Sequence, residues 1–253
     1  MDKKLLAFSA ALLVAAGCGR SPVGADTGGE APPAEEPPVT APPTTGGPGQ
    51  KPPTTGTPTD LGSLKTEVAT AYQAVKTLKA DYDNHQSKGS EKYFAKVAMT
   101  FAKPRKLRLD IRSSSDALLS GAIVVWTGGS TLKGRKDIGF LPIKQEHKLT
   151  DKPSLRGWYY NQTDYDAMVS ALLTNLPTAK LLGTSRIGSA TVTLVEFKSS
   201  LPGAATERIG IDSVKKLPVY REFREAGSTT PIFTTTYTNL QLNAPVAGNA
   251  FDI

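Results

Sequence analysis

The chain has 253 residues, of which 39% are hydrophobic, and a formal net charge of +7. Its single cysteine excludes an internal disulfide, so the folded part must be stabilised by its own core. Residues 1–60 carry four basic and six acidic side chains, which leaves +9 for residues 61–253. That charge favours contact with anionic lipid head groups, although lysines that only keep a domain soluble explain it equally well.

The chain begins with a pattern typical of an export signal. Residues 1–4 are a short basic start, and residues 5–16 are an uncharged apolar run, too short to span a bilayer as a stable helix. Small residues lead into Cys18, and this resembles a bacterial lipobox, after which the signal is cleaved and the cysteine carries acyl chains. We therefore expect a lipoprotein signal peptide over residues 1–17 and lipidation at Cys18. An ordinary secretory signal with an incidental cysteine is the alternative.

The next segment has the composition of a linker. Residues 20–59 are mainly Pro, Thr, Gly and Ala with four acids, and such a sequence cannot form a packed core. In an extended, polyproline-like state at roughly 3 Å per residue, its reach is on the order of 100 Å. We predict a disordered tether over residues 18–60 and a folded domain over residues 61–253. A stalk that only clears surface polysaccharide is an equally open interpretation.

The first element predicted in the folded domain is one amphipathic helix over residues 61–82. Asp60 can cap its first turn, and the polar run 84–89 ends it. Apolar residues recur at three- and four-residue steps, with Lys and Glu between them. These are Leu61, Leu64, Val68, Ala71, Tyr72, Val75, Leu78 and Tyr82.

The pattern then changes to a period of two, which predicts strands over residues 93–101 and 107–112 with a turn at 103–105. Two more strands, over 121–126 and 130–135, flank a hairpin turn at 128–129. Short connections of this kind require antiparallel pairing. Residues 137–161 have no clear period, and we predict a long crossing loop with some strand.

The second predicted helix opens at Thr163, which forms a capping-box pattern with Asp166, and stops before Pro177. Turn residues then separate a final set of strands. Their predicted ranges are 180–187, 190–198, 207–212, 219–226 and 231–242.

The sequence contains no recognisable catalytic constellation. His85 and His147 lie in different polar segments, so no metal-binding spacing and no Cys/His pair exists. Residues 129–136 have the glycine spacing of a phosphate loop, but Arg135 occupies the lysine position and the segment lies between strands, which indicates a hairpin. We expect neither an enzyme nor a cofactor nor a metal.

Two segments carry a resemblance to a known family. The first is Lys-Pro-Arg-Lys-Leu-Arg-Leu-Asp at residues 103–110, in which an Arg follows the Pro by four residues. The second is the closing pattern of Ile-Asp at 211–212, Leu-Pro-Val-Tyr-Arg-Glu at 217–222, Asn-Leu-Gln-Leu-Asn at 239–243 and Phe-Asp-Ile at 251–253. Together they resemble the outer-membrane lipoprotein-sorting carriers of the LolA/LolB type.

The resemblance implies an α+β fold in which helices cover a strongly curved antiparallel sheet, a half-barrel whose apolar concavity holds acyl chains. The lining residues that we predict for this concavity and its helical lid are Leu64, Val68, Tyr72, Val75, Val97, Met99, Phe101, Leu107, Leu109, Ile111, Trp126 and Leu172. If the helices fill the concavity completely, the same residues are ordinary core.

These observations predict a monomeric lipoprotein that binds acyl chains of lipids or lipoproteins. A non-enzymatic regulatory or scaffolding domain of the cell envelope is the alternative, and nucleic acid is a poor fit to an exported lipoprotein. Gly19 follows the cysteine, whereas Asp at that position favours inner-membrane retention in the sorting systems that this sequence resembles. We therefore expect the outer membrane, facing the periplasm, with exposure at the cell surface left open.

Overall fold

The computed structural model describes residues 60–151 and 154–253. The predicted signal peptide, the lipidation site at Cys18 and the tether lie outside these residues. The described residues belong to one compact unit.

The unit is built on one antiparallel sheet of eleven strands in the order β6-β5-β4-β3-β2-β1-β11-β10-β9-β8-β7. The strands are β1 (Thr77–Lys88), β2 (Glu91–Ala102), β3 (Lys106–Ser114), β4 (Ile123–Trp126), β5 (Thr131–Ile138), β6 (Leu141–Lys148), β7 (Lys180–Ile187), β8 (Ala190–Lys198), β9 (Thr206–Asp212), β10 (Pro218–Arg224) and β11 (Pro231–Leu242). The first and last strands pair at the centre of the sheet, and β6 and β7 are its edges.

The period of two in the sequence corresponds to two faces of this sheet. Along β2, Ala95, Val97 and Met99 are buried, whereas the residues between them are more exposed. The turn predicted at 103–105 joins β2 to β3, and Arg105 takes a positive φ of 68° there. The strand ranges predicted from 180 onward are confirmed to within about two residues at each end.

The predicted helix over residues 61–82 is wrong in its second half. Helix α1 is Leu61–Ala74, capped by Asp60, whose carboxylate accepts from the backbone N of Gly62 and of Ser63 at 3.3 and 2.9 Å. From Thr77 the chain is strand β1, in which Leu78 and Ala80 are buried on one face. A spacing of four residues, as between Leu78 and Tyr82, fits a strand as well as a helix, because four is a multiple of two.

Two further helices follow β6. Helix α2 is Tyr160–Thr163 and helix α3 is Tyr165–Asn175, which ends in a 3₁₀ turn, Leu176–Thr178. The predicted cap at Thr163 is wrong by one residue, since the Asp164 carboxylate accepts from Ala167 N at 2.6 Å. The crossing loop predicted over residues 137–161 contains a complete edge strand, β6, which pairs with β5 along its length.

The core lies between one face of the sheet and helices α1 and α3. Helix α1 packs against α3 and the 3₁₀ turn, and their buried side chains join one apolar cluster with those of most strands. Residues 60–253 thus contain a whole sheet, its covering helices and a continuous core, which is what an independently folding domain requires. None of the described helices has the length and apolar character needed to cross a membrane.

Candidate functional site

The inner face of the sheet borders a cavity of about 160 Å³ that is partly open to solvent. Most of its wall is apolar. The strands contribute Tyr82, Asn84, Gln86, Tyr93, Ala95, Val97, Met99, Leu107, Leu109, Ile111, Val124, Leu132, Phe233, Thr235 and Tyr237, and the helices and loops contribute Leu119, Ser154, Trp158, Tyr160, Thr163, Asp164 and Tyr165.

The set of strands that lines this wall requires a curved sheet. The strands from β5 through β4, β3, β2 and β1 to β11 all reach the same cavity. Neighbouring strands lie about 4.8 Å apart, so a flat sheet would separate β5 from β11 by about 24 Å. Side chains that far apart cannot line one small cavity, and the sheet must therefore be concave on this face, as the predicted half-barrel requires.

Residues 154–165, which we call the strap, cross the concave face and close one side of the cavity. Near its beginning, Arg156 donates to the backbone O of Ser87 at 2.8 Å and pairs with Glu225. Trp158 is buried against Phe223 and Phe233, with ring centroids 5.0 and 5.8 Å away. These contacts tie the strap to the ends of β1 and β10.

The other end of the strap is held by Arg105. This guanidinium lies 3.0 Å from Asp164 Oδ2 and 3.1 Å from Asp166 Oδ2, and it covers the ring of Trp126 at 4.9 Å. Tyr72 of α1 donates to Asp166, which adds the first helix to the same cluster. The β2–β3 turn, the start of α3 and the end of α1 therefore meet beside the cavity.

Burial raises the pKa of Asp164 to about 6. The hydrogen bond from Ala167 N and the charge of Arg105 both oppose this rise, but they do not cancel it. Asp164 is almost inaccessible, so its charged form loses most of its hydration and one partly exposed arginine does not replace that loss.

We expect Asp164→Asn to reduce the pH dependence of stability. Because the folded-state pKa lies above the ordinary value near 3.9, the native state holds the proton more tightly than the unfolded chain. The contribution of Asp164 to stability is thus fully present below about pH 4 and is lost as the pH rises through about 6. Asn remains a good N-cap, so urea unfolding should show a loss between pH 4 and pH 7 that is smaller in the variant by about 2–3 kcal/mol. Equal losses in both proteins would refute this assignment.

Two amide side chains of the wall are hydrogen-bonded within the chain. Asn84 Nδ2 donates to Thr235 Oγ1 at 2.9 Å, and Gln86 Nε2 donates to Asn84 Oδ1 at 2.9 Å. Gln86 Oε1 is buried without a hydrogen-bond partner among the described residues. A ligand that carries a hydroxyl or amide donor would satisfy it.

The predicted lining residues fall into two groups. Residues of β2 and β3 line the cavity, namely Val97, Met99, Leu107, Leu109 and Ile111. The others are outside the cavity wall: Leu64, Val68, Val75, Phe101, Trp126 and Leu172 are buried in the main core, and Tyr72 is half-buried beside it. Helix α1 therefore covers core, and the strap occupies the position that we had predicted for this helix.

Sequence reasoning missed the strap as part of the site. Trp158 and Tyr160 lie in a segment without a period, and nothing local indicates that they reach one cavity with Tyr165 and with Tyr237 of the last strand. The only local signal was the density of aromatic side chains at residues 158–160. The described residues include no group of three or more His, Cys, Asp or Glu that could hold a metal ion.

A comparison with protein-family models and with curated proteins finds no match. Among solved structures, the chain is similar to an uncharacterised conserved protein from Thermus thermophilus, with 10% identity, a TM-score of 0.46 and coverage of 76% of this chain and 92% of that one. It is similar to a LolA superfamily protein from Nitrosomonas europaea, with 8% identity, a TM-score of 0.36 and coverage of 78% and 99%. It is also similar to the Mycobacterium tuberculosis lipoprotein LppX, with 12% identity, a TM-score of 0.41 and coverage of 74% and 97%.

The family that the sequence resembles appears in the description of one of these structures. At these identities and TM-scores the similarity carries no conclusion about ligand, partner or activity. An inference about function must therefore rest on the cavity of this chain.

Proposed function

We propose that residues 61–253 form a non-enzymatic binding domain for the acyl chain of a lipid or lipoprotein. The observation that supports this is an apolar cavity between the concave face of the sheet and the strap. A wall that is mainly apolar favours an apolar ligand over water.

The size of the cavity limits how much ligand it holds as it stands. Its 160 Å³ is close to the roughly 150 Å³ that admits a benzene molecule and below the roughly 300–1,000 Å³ of sites for drug-sized ligands. A long acyl chain would therefore occupy the cavity with one segment and leave through the open side, or it would require the strap to move.

The same observation supports a second candidate, an envelope regulatory or scaffolding domain without lipid cargo. Side chains of α1 and α3, such as Leu64, Val68 and Leu172, already fill much of the concave face. In that case the remaining space is a packing defect, and the surface of the domain carries its function.

A substitution that fills the cavity separates these candidates. Ala95 lines the cavity, and Ala98 lies on the opposite face of the same strand. In the acyl-binding domain, Ala95→Leu should weaken uptake of a fluorescent fatty acid about tenfold or more, since it adds three carbon atoms to the space that the ligand needs. The matched Ala98→Leu variant should take up the fatty acid like the parent.

Uptake and stability are both measured on each variant. Filling a genuine void should leave the free energy of unfolding of Ala95→Leu close to that of the parent, because the new atoms replace empty space. Equal uptake by all three proteins, or none by the parent, would leave the scaffolding domain as the better description.

We also propose that Cys18 is lipidated and anchors this domain to the outer membrane, facing the periplasm, through residues 19–60 as a tether. The lipobox pattern at the end of the apolar run supports this. Cys18→Ala removes the acceptor, so we expect this variant to incorporate no labelled palmitate in cells, and incorporation at the parental level would disprove lipidation at that residue.

A further inference from the structure

The β5–β6 hairpin extends beyond the neighbouring strand. Strand β4 pairs with β5 only over residues 132–135, whereas β5 and β6 remain paired as far as Ile138 and Leu141. The three residue pairs nearest the turn therefore have no partner in β4. At roughly 3.3 Å per residue, the hairpin projects by about 10 Å.

The projecting end is apolar and exposed. Phe140 in the turn is 92% exposed, Leu141 57% and Ile138 48%. Leu118, which is 41% exposed, belongs to the β3–β4 connection next to this hairpin, since Lys136 Nζ donates to the backbone O of Leu118 at 2.8 Å and of Ala117 at 3.0 Å. We call Leu118, Ile138, Phe140 and Leu141 the apolar tip.

This clustering distinguishes the tip from ordinary surface. Eight large apolar side chains are exposed in the described residues, and half of them belong to the tip. Val214, which is 88% exposed, is the single exposed large apolar residue of the β9–β10 loop, at the opposite end of the strands. Single exposed apolar residues are normal, whereas a projecting group of them indicates a contact with another surface.

The charge around the apolar tip indicates which kind of surface the tip contacts. The hairpin residues 131–148 contain Lys133, Arg135, Lys136, Lys144 and Lys148 against Asp137 and Glu146, a net +3. A second copy of this chain would bring the same positive charge to the contact, so self-association is disfavoured. Anionic lipid head groups provide both the complementary charge and an apolar layer beneath it.

We propose that the apolar tip inserts into the surface of a lipid bilayer that contains anionic head groups. The four side chains enter the interface, and Arg135, Lys136 and Lys144, the cations nearest the turn, remain at the level of the head groups. Insertion would also place the cavity near the bilayer, since Leu119 lines the cavity and is next to Leu118 of the tip in the chain. That last step rests on the proposed function, whereas the docking itself does not.

The test measures vesicle binding by residues 60–253, which carry the whole core and no acylated cysteine. Sedimentation should show binding to vesicles of equal amounts of phosphatidylcholine and phosphatidylglycerol, and weaker binding to phosphatidylcholine alone. Replacing both Phe140 and Leu141 by Ser should weaken binding about tenfold or more. The matched control Val214→Ser should bind like the parent. In a Phe140→Trp variant, tryptophan emission should shift to the blue when vesicles are added.

The outcomes separate docking from the acyl-binding proposal. The cavity variant Ala95→Leu should bind vesicles like the parent even if it loses fatty-acid uptake. Equal vesicle binding by the parent and the Phe140/Leu141 double variant would overturn the proposal. So would a dimer, detected by sedimentation equilibrium without lipid, that the double variant converts to a monomer.

Discussion

Replacing Arg221 by Met is expected to lower the free energy of unfolding by about 3–5 kcal/mol. Arg221 Nε donates to Glu207 Oε1 at 2.8 Å, and both side chains are almost completely buried on the inner face of β9 and β10. Met resembles Arg in length but leaves the Glu207 carboxylate without its counter-ion. An unpaired charge in the core is far less favourable than the pair.

The pH dependence of this loss identifies its cause. Burial raises the pKa of Glu207, and the charge and hydrogen bond of Arg221 partly oppose the rise. Without Arg221 the folded-state pKa rises further, so the deficit is largest at high pH and shrinks as the pH falls and Glu207 takes up a proton. Urea unfolding at pH 8 and pH 5 measures the difference.

Two controls accompany the Arg221 variant. Arg135→Met breaks the exposed pair with Asp137, whose atoms are 3.0 Å apart, and should change stability by less than about 1 kcal/mol. The double variant Arg221→Met with Glu207→Leu removes both charges and should recover a large part of the loss. A double variant no more stable than Arg221→Met would assign the effect to lost packing on Phe223, which Arg221 covers at 4.6 Å.

The sheet was largely predictable because nine of its eleven strands carry their own signal; β1 was predicted as helix, and β6 lay in a segment without a clear period. Alternation of apolar and polar residues, with Gly or Pro in the turns, reports local geometry and needs no knowledge of distant contacts. The end of α1 is different. Asn243, next to the last strand, accepts from Lys76 N at 2.7 Å and donates to Ala74 O at 3.1 Å. A residue almost 170 positions away thus forms the hydrogen bonds to the backbone groups at the end of the helix, and no local sequence pattern predicts those bonds.

The candidate site was only half predictable for a related reason. Val97, Met99 and Leu109 face inward because of strand periodicity, so their place in the wall follows from the sequence once the concave face is assigned. Which element covers that face depends on where the connections run. Leu64 has the apolar spacing of a covering helix, but it is buried in the main core and lies outside the cavity wall. Its replacement should therefore affect packing alone.

Trp158→Ala is expected to lower the free energy of unfolding by about 3–5 kcal/mol and to release the strap. Its indole packs edge-on against Phe223, and its Nε1 donates to the backbone O of Pro202 at 2.9 Å. With Phe233, Leu201 and Ile232 these rings form a small cluster separate from the main core. Because Trp158 supplies the central ring of that cluster, its removal leaves a void and an unpaired carbonyl.

Hydrogen exchange distinguishes a loosened strap from general destabilisation. In the parent, the strap is held by Arg105 at one end and by Arg156 and Trp158 near the other. In Trp158→Ala, backbone amides of residues 154–163 should exchange by local opening, while those of β2 and β11 still require global unfolding. Trp158→Phe keeps an aromatic ring in the cluster and loses mainly the hydrogen bond, so it should lose only about 1–3 kcal/mol and retain the protection. If the exchange rates of strap amides and sheet amides rise by the same factor in Trp158→Ala, the strap does not open separately. It then cannot act as the movable cover of the cavity.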